Sequence, residues 1–318
     1  MFFSPEHTQN SETLMGTFAK RLGQLATKSL ETDSMNIMKT IAANKVPNSL
    51  AKQLDTTLRE GHDMKVFGVG TVASMASVER YRRFTTSMHA VYSSMEEEMD
   101  RAGPHAAPLV HAVWTEHGDV LRRAPSLALD LEDVGGPAAL SSPATERYVD
   151  AIRAAGADDR ERGGARMLGH LYCRYFADLF GGSMIARPTR AALGLAGSTP
   201  RHYTFTLPSD AEGGRRAYIE SVYASLNEAG SGLVSLQQRE LSEAQAKRSG
   251  VDSPPVGDLG SDRWQDVVDE TMGAFGHNVA VYSEEKGMYV DGVRGGFNAL
   301  TGMMRGGESL FLPVSIKK

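Results

Sequence analysis

The sequence predicts an all-α protein, one orthogonal helical bundle with extensions at both ends. Two observations predict it: apolar residues recur at helical steps in several segments, and no segment alternates convincingly with a period of two. Leu50, Leu54 and Leu58 lead at steps of four to His62, which places the histidine beside the same stripe. Asn48 or Ser49, after Pro47, is the expected cap of that helix, and Gly68 and Gly70 its expected end. A second helix is predicted over Ser77 to Arg101, with Phe84, Met88, Val91, Tyr92, Met95 and Met99 on its apolar face. A shorter one covers Ala107 to Arg123, and Pro143 begins another with Tyr148 and Ile152 inward. Arg162 to Ala186 reads as a helix, and residues 215–247 as a long polar one with a possible break at Gly230 and Gly232. Ser249 to Asp262, with Pro254 and Pro255, reads as a linker or surface loop. Trp264, Val267, Val268, Phe275, Val279 and Tyr282 mark the last strong helix.

Composition sets broad limits. A chain of 318 residues forms one large domain or two small ones and buries a substantial core. The formal net charge of -5 and the lack of a basic block argue against nucleic acid as the main partner. Cys173 is the single cysteine, so no internal disulfide forms, and a reducing compartment is the simplest home. No apolar run approaches the roughly 20 residues needed to span a bilayer. The expectation is a soluble protein, cytoplasmic or, after processing, of a plastid or mitochondrion; Glu6, Glu12 and Glu31 argue against a complete transit peptide.

The stretch from Leu168 to Gly182 concentrates the chemistry. Leu168, Leu171, Tyr172, Tyr175 and Leu179 share an apolar flank, while Arg174 and Asp178 stand at i and i+4. That pair is either a plain salt bridge or a pair sharing an ordered water. Gly181 and Gly182 either cap a helix or loosen it; Ser183-Met184-Ile185-Ala186 continues the core-like pattern and favours loosening. A bare backbone beside a fixed carboxylate suits a planar cofactor. Phe275 is equally a pocket wall or core. Glu96 to Glu98 reads as a solvated face, Cys173 as a small buried side chain, and His105, His111 and His117, at steps of six, make no metal site. Gly68-x-Gly70 lacks the preceding strand of a dinucleotide loop.

Five segments in order resemble the heme oxygenase family over about residues 50 to 290. They are Leu58-Arg59-Glu60-Gly61-His62; His89 to Glu98 with Tyr92 before the glutamates; Leu121-Arg122-Arg123 through Asp130-Leu131, followed by Ser142-Pro143-Ala144 and Arg147-Tyr148-Val149; His170-x-Tyr172-x-Arg174-Tyr175-x-x-Asp178-x-x-Gly181-Gly182; and Ala274-Phe275-Gly276-His277-Asn278. The resemblance implies a heme oxygenase-like multi-helical orthogonal bundle with heme as both substrate and cofactor. It implies that His62 is the iron ligand and that Asp178, Tyr92, Arg174 and Asn278 form a catalytic network around distal water. Gly181, Gly182 and Phe275 would face the heme, and Arg215 and Arg216 would hold its propionates. The implied reaction is oxidative cleavage of heme to biliverdin, carbon monoxide and ferrous iron. Because no flavin or nicotinamide motif is visible, its electrons would come from an external reductase or ferredoxin.

The chain also departs from the family pattern. Asp55 stands where a propionate-binding lysine is common, and Glu220 where another cation is expected. Ala177 and Phe180 replace smaller distal residues, and Val66 replaces a carboxylate that supports the proximal imidazole. These changes favour an alternative: a non-catalytic heme oxygenase-like heme binder, or a helical subunit of a larger assembly contacted through the termini. The expected organisation is an N-terminal extension over 1–47, the domain over 48–290 and a Gly/Met-rich tail over 291–318. The stretch from Gly287 is disordered, folds back on the bundle or docks a partner.

Overall fold

Apolar side chains at three- and four-residue steps can leave water only by facing one another across helices, and helices are what the chain forms. The structure, a computed structural model, describes residues 41–61, 64–139, 142–195, 197–207, 214–247 and 261–305; side chains at 59–67, 183, 243–247 and 261–263 lie outside the description. After a short 3-10 turn (Ala43–Lys45) come α1 Leu50–Gly61, α2 Met64–Ser74, α3 Val78–Arg101, α4 Pro108–Leu121, α5 Ala124–Asp133 and α6 Pro143–Arg162. Next are α7 Met167–Leu171, a π-helical turn Tyr172–Phe176, α8 Ala177–Leu193, α9 Gly214–Lys247, α10 Ser261–Ser283 and α11 Met288–Arg305. No strand occurs among the described residues, and the fold is all-α.

α3 lies at the centre and packs on α4, α5 and α6, while α10 packs on α1, α2, α6, α7 and α9. Ser77 caps α3 by accepting a hydrogen bond from Arg80 N, and the predicted apolar face is buried apart from half-buried Phe84. Ser49 is the residue that precedes α1, its hydroxyl 3.4 Å from Lys52 N. No described helix is long and apolar enough to cross a membrane.

Several glycines behave differently from the sequence expectation. Gly68 and Gly70 lie inside α2 rather than ending a helix. A Cβ on Gly70 would stand 2.4 Å from the Tyr282 ring, so this residue admits α10 at close range. α9 runs unbroken through Gly230 and Gly232, where Cβ atoms would meet Leu50 at 2.7 Å and Leu109 at 2.4 Å. The expected helix from Arg162 is two: α6 ends at left-handed Gly163, and α7 starts at Met167. The Ala107 to Arg123 stretch stops at Leu121, and a separate α5 follows. The Glu96 to Glu98 run is not a solvated face. Glu96 is buried and accepts from Arg123 N and Ala124 N at the start of α5, and buried Glu98 pairs with Arg101 and Arg160.

The stretch after Gly287 folds back on the bundle. α11 packs against α2 and α8 with its smallest residues inward: a Cβ on Gly295 would lie 1.9 Å from Val72 O, and one on Gly302 would lie 2.0 Å from Ala191 O. Residues 1–40, 249–260 and 306–318, which hold most of the expected extension, loop and tail end, lie outside the described residues.

Two predictions follow from this packing. Gly295→Ala should cost about 1–3 kcal/mol by forcing α11 off α2, whereas Gly273→Ala, with nothing within 4 Å, should be neutral or stabilising. Denaturant unfolding of both variants measures this, and equal stability would refute the close packing. Asp159, buried, caps α7 by accepting from Arg166 N at 2.7 Å and Met167 N at 2.8 Å. Burial pushes its carboxyl from an ordinary 3.8 up to about 6 despite those two donors. The folded state therefore binds more protons between those values, and stability present below the lower one is lost as pH rises through about 6. Relative to Asp159→Asn, the wild type should lose on the order of 3 kcal/mol across that window, at about 1.36 kcal/mol per unit. Parallel stability-versus-pH curves would contradict it.

Candidate functional site

The four residues expected to form a network, drawn from three helices and the π-helical turn, meet in the core. Tyr92 on α3 donates its phenolic O–H to Asp178 Oδ2 on α8. Arg174, on the π-helical turn, donates from Nη1 to Asn278 Oδ1 on α10 at 3.0 Å and lies 5.1 Å from the Tyr92 ring centroid. All four are buried. Arg174 and Asp178 do not form the plain i,i+4 salt bridge that the spacing allowed. The π-helical turn is wider than an α turn, so Arg174 faces Asn278 and Met88 Sδ (3.3 Å) while Asp178 faces Tyr92.

Electrostatics fix the protonation of this group. Burial, with Asp178 alongside, pushes the Tyr92 phenol well above its ordinary value, so Tyr92 keeps its proton and acts as donor. Burial works against the Arg174 charge, but Tyr92, Tyr282 and Asp178 outweigh it and hold the guanidinium above its ordinary value. The Tyr282 phenol also hydrogen-bonds the Arg174 guanidinium.

The network reaches further than the sequence reading did. Asn278 Nδ2 lies 3.0 Å from Cys173 Sγ and 3.5 Å from the Tyr148 hydroxyl. The Tyr148 ring stacks on His277 at 5.2 Å between centroids, with His170 on another side at 5.7 Å. His170 Nε2 stands 2.9 Å from Glu270 Oε1, and Glu270, half-buried, is also paired with Arg166. Glu270 had a legible signal: it lies two steps of four before Asn278 on α10, an acid on a buried flank. Cys173 is the small buried residue expected; burial raises its thiol to about 12, which makes it inert as a nucleophile.

The π-helical turn is also tied to α1 through the Tyr172–Asp55 hydrogen bond. Tyr172, Phe176 and Phe180 form a ladder of rings, 4.9 and 5.9 Å apart, with Tyr223 of α9 edge-on to Phe176 at 4.7 Å. Asp55 is buried, bound by Tyr172 OH at 2.5 Å, Tyr223 OH at 2.6 Å and Asn44 Nδ2 at 2.7 Å. Glu220 accepts from Ala42 N and Ala43 N, which ties α9 to the start of the domain. Gly181 and Gly182 lie within α8, so they neither end the helix nor interrupt it. The bare face of Gly182 is covered by Tyr203, 3.1–3.3 Å from where a Cβ would be. Phe275 is buried in the main core cluster. Arg215 and Arg216 open α9 two turns before Tyr223, with Arg215 half-buried and Arg216 exposed. His62 and the side chain of Val66 lie outside the described residues.

Tyr92→Phe tests the core of this site. It leaves the Asp178 carboxylate buried without its phenol donor, and should cost about 1–3 kcal/mol in denaturant unfolding. An unchanged midpoint would show that the hydrogen bond does not stabilise the fold.

Known proteins share this architecture and sequence pattern. Heme oxygenase 1 of Nostoc sp. is 27% identical over 258 residues, which cover 77% of this chain and 90% of that protein. Among solved structures, heme oxygenase 2 of Chlamydomonas reinhardtii, without heme, superposes with a TM-score of 0.57 at 19% identity, covering 74% of this chain and 96% of that one. Heme oxygenase-2 of Synechocystis sp., in complex with heme and NO, gives 0.56 at 21% identity, with 80% and 91% covered. These two likenesses bear on the fold alone. The Heme oxygenase family profile matches residues 48–231, more than half of the chain, and the chain belongs to the heme oxygenase family.

Proposed function

We propose that the chain binds heme between α1 and the π-helical turn with α8, and cleaves it to biliverdin, carbon monoxide and ferrous iron. A separate reductase or ferredoxin supplies the electrons. The buried Tyr92–Asp178 and Arg174–Asn278 pairs carry this reading, because they assemble proton-handling groups beside the π-helical turn and α8. The donor set fits a heme on that side: a carboxylate, a protonated phenol and a retained cation can order water without ligating iron. In this reading His62 is the iron ligand, Gly181 and Phe275 are walls, and Arg215 and Arg216 are the cations nearest the propionates.

When bound, the heme supplies both the oxygen-activating iron and the macrocycle that is opened. The protein's own part is positional. Tyr92 occupies Asp178 Oδ2, so Oδ1 is the acceptor to which a water donates, and that water, held in place, is the group through which protons would be relayed. Arg174 fixes Asn278, whose amide also holds Tyr148 and Cys173, so the wall around that water is rigid. The aromatic ladder and buried Leu54 keep bulk water out.

A second reading, a heme oxygenase-like heme binder without turnover, is favoured by one observation: Tyr203 covers the Gly182 face that a planar ligand would use. Titration with heme separates the two. Heme binding should give a Soret band that His62→Ala abolishes. With reductant and oxygen, the wild-type complex should release biliverdin, and Asp178→Asn should cut that rate about 100-fold while changing heme affinity less than about threefold. A heme-loaded wild type that yields no biliverdin would leave only the binder.

A further inference from the structure

Residues 199–205 form a strap laid on α8, and two buried charges are committed to holding it. Asp130 on α5 accepts from Arg201 N at 2.8 Å and His202 N at 3.1 Å, and stands 2.7 Å from His202 Nδ1. Arg123, just before α5, donates from Nη1 to His202 O at 3.2 Å and to Thr204 O at 2.8 Å. Arg190 of α8 donates from Nε to Thr199 O at 3.0 Å. Burying a charge is costly unless its hydrogen bonds are answered, and here one short loop answers both. The residue between the two clamps is Tyr203. It lies on Gly182, with atoms 3.1–3.3 Å from where a Cβ would be, and Gly182 is one turn beyond Asp178. Around its buried phenol stand Tyr282 of α10, Asp178, Tyr81 of α3 and Arg174. Burial, with Tyr282 and Asp178 adding to it, pushes that phenol well above its ordinary value, so it keeps its proton. A phenylalanine would cover Gly182 equally well, and the buried hydroxyl adds only desolvation cost to that packing.

Resting on the heme reading above, we infer that Tyr203 is a positioning residue of the distal site: the clamped strap brings its phenol, beside Tyr92, to the Asp178 centre as a second donor, directed at the water on Asp178 Oδ1. That water then has an acceptor in Asp178 and a donor in Tyr203, which fixes its orientation, whereas one partner leaves it free to rotate. Asp130 and Arg123 act only through Tyr203, by fixing the backbone on either side of it.

The test uses the full chain loaded with ferric heme and three variants. Tyr203→Phe removes the hydroxyl and keeps the ring on Gly182. His202→Leu cuts the side-chain tie between strap and Asp130, and His202→Asn restores a donor there. The ferric Soret band is followed against pH, because a phenol donating to the distal water favours the deprotonated form of that water and holds the midpoint down. Tyr203→Phe should raise the midpoint by at least about half a unit. It should also cut biliverdin release about tenfold and change heme affinity less than about threefold. His202→Leu should raise the midpoint likewise, and His202→Asn should return it toward wild type; if His202→Leu does not fold, Tyr203→Phe alone decides. An unchanged midpoint in Tyr203→Phe, in a complex that still releases biliverdin, overturns the inference and leaves the heme reading standing. Loss of heme binding in Tyr203→Phe alone makes the phenol a ligand contact and overturns it as well. A folded His202→Leu with the wild-type midpoint overturns the role given to the strap. A raised Tyr203→Phe midpoint in a complex that releases no biliverdin sustains the inference and removes only the cleavage reading. No Soret band in wild type and variants alike overturns the inference together with the heme reading.

Discussion

Arg174 brings a guanidinium into the core at 3% exposure, and removing that charge from water is tolerable only where its donors are answered. Asn278 answers one, Met88 sulfur faces another, and the Tyr92 ring lies against the cation. These partners come from α10 and α3, so both helices are placed relative to the π-helical turn by one side chain. Tyr92 is in turn committed to Asp178, and Asn278 to Tyr148 on α6. Five elements thus meet at one polar centre, surrounded by the largest apolar cluster among the described residues. Removing a member would leave a buried polar group unsatisfied, which costs more than the lost bond itself.

The apolar periodicity made much of the fold legible. α3 was readable from Ser77 to Arg101 because its cap, length and buried stripe all agree locally. Glycine was where local reading failed. Gly68, Gly70, Gly230 and Gly232 carry the same sequence signal as helix ends, yet each lies inside a helix, and Gly70, Gly230 and Gly232 meet a partner too closely for a Cβ. Only the partner's distance distinguishes a breaker from a spacer, and that distance is a tertiary property. Glu96 and Glu98 failed for a related reason. A glutamate run looks solvated until the chain supplies the α5 N-terminus and Arg160 from elsewhere.

The site was legible in type more than in geometry. Tyr92, Arg174, Asp178 and Asn278 do come together, but of the two arrangements the spacing of Arg174 and Asp178 left open, the π-helical turn prevents the direct pair. No residue pattern announces an i→i+5 turn; it arises here where five consecutive side chains, Tyr172 to Phe176, are all buried. Asp55 illustrates the same limit. The sequence suggests a repelling charge, whereas in the structure phenols from two other elements receive it.

α11 shows how strongly close approach can override hydrophobic patterning. Val290, Val293, Phe297, Leu300 and Met304 recur at steps of three and four, the spacing of a buried seam. Val290, Phe297 and Met304 are nevertheless 72%, 57% and 67% exposed, and the inner face is built around Gly295, Ala299 and Gly302. Burying the larger side chains would hold α11 about 8–10 Å from its neighbours, as ordinary helix packing does. The glycine face allows backbone-to-backbone contact with Val72 on α2 and Ala191 on α8 at once. α2 and α8 are thereby bridged by one element whose contacts tolerate almost no added volume. Their spacing across α11 is set by the glycines of α11, a constraint that neither helix carries alone.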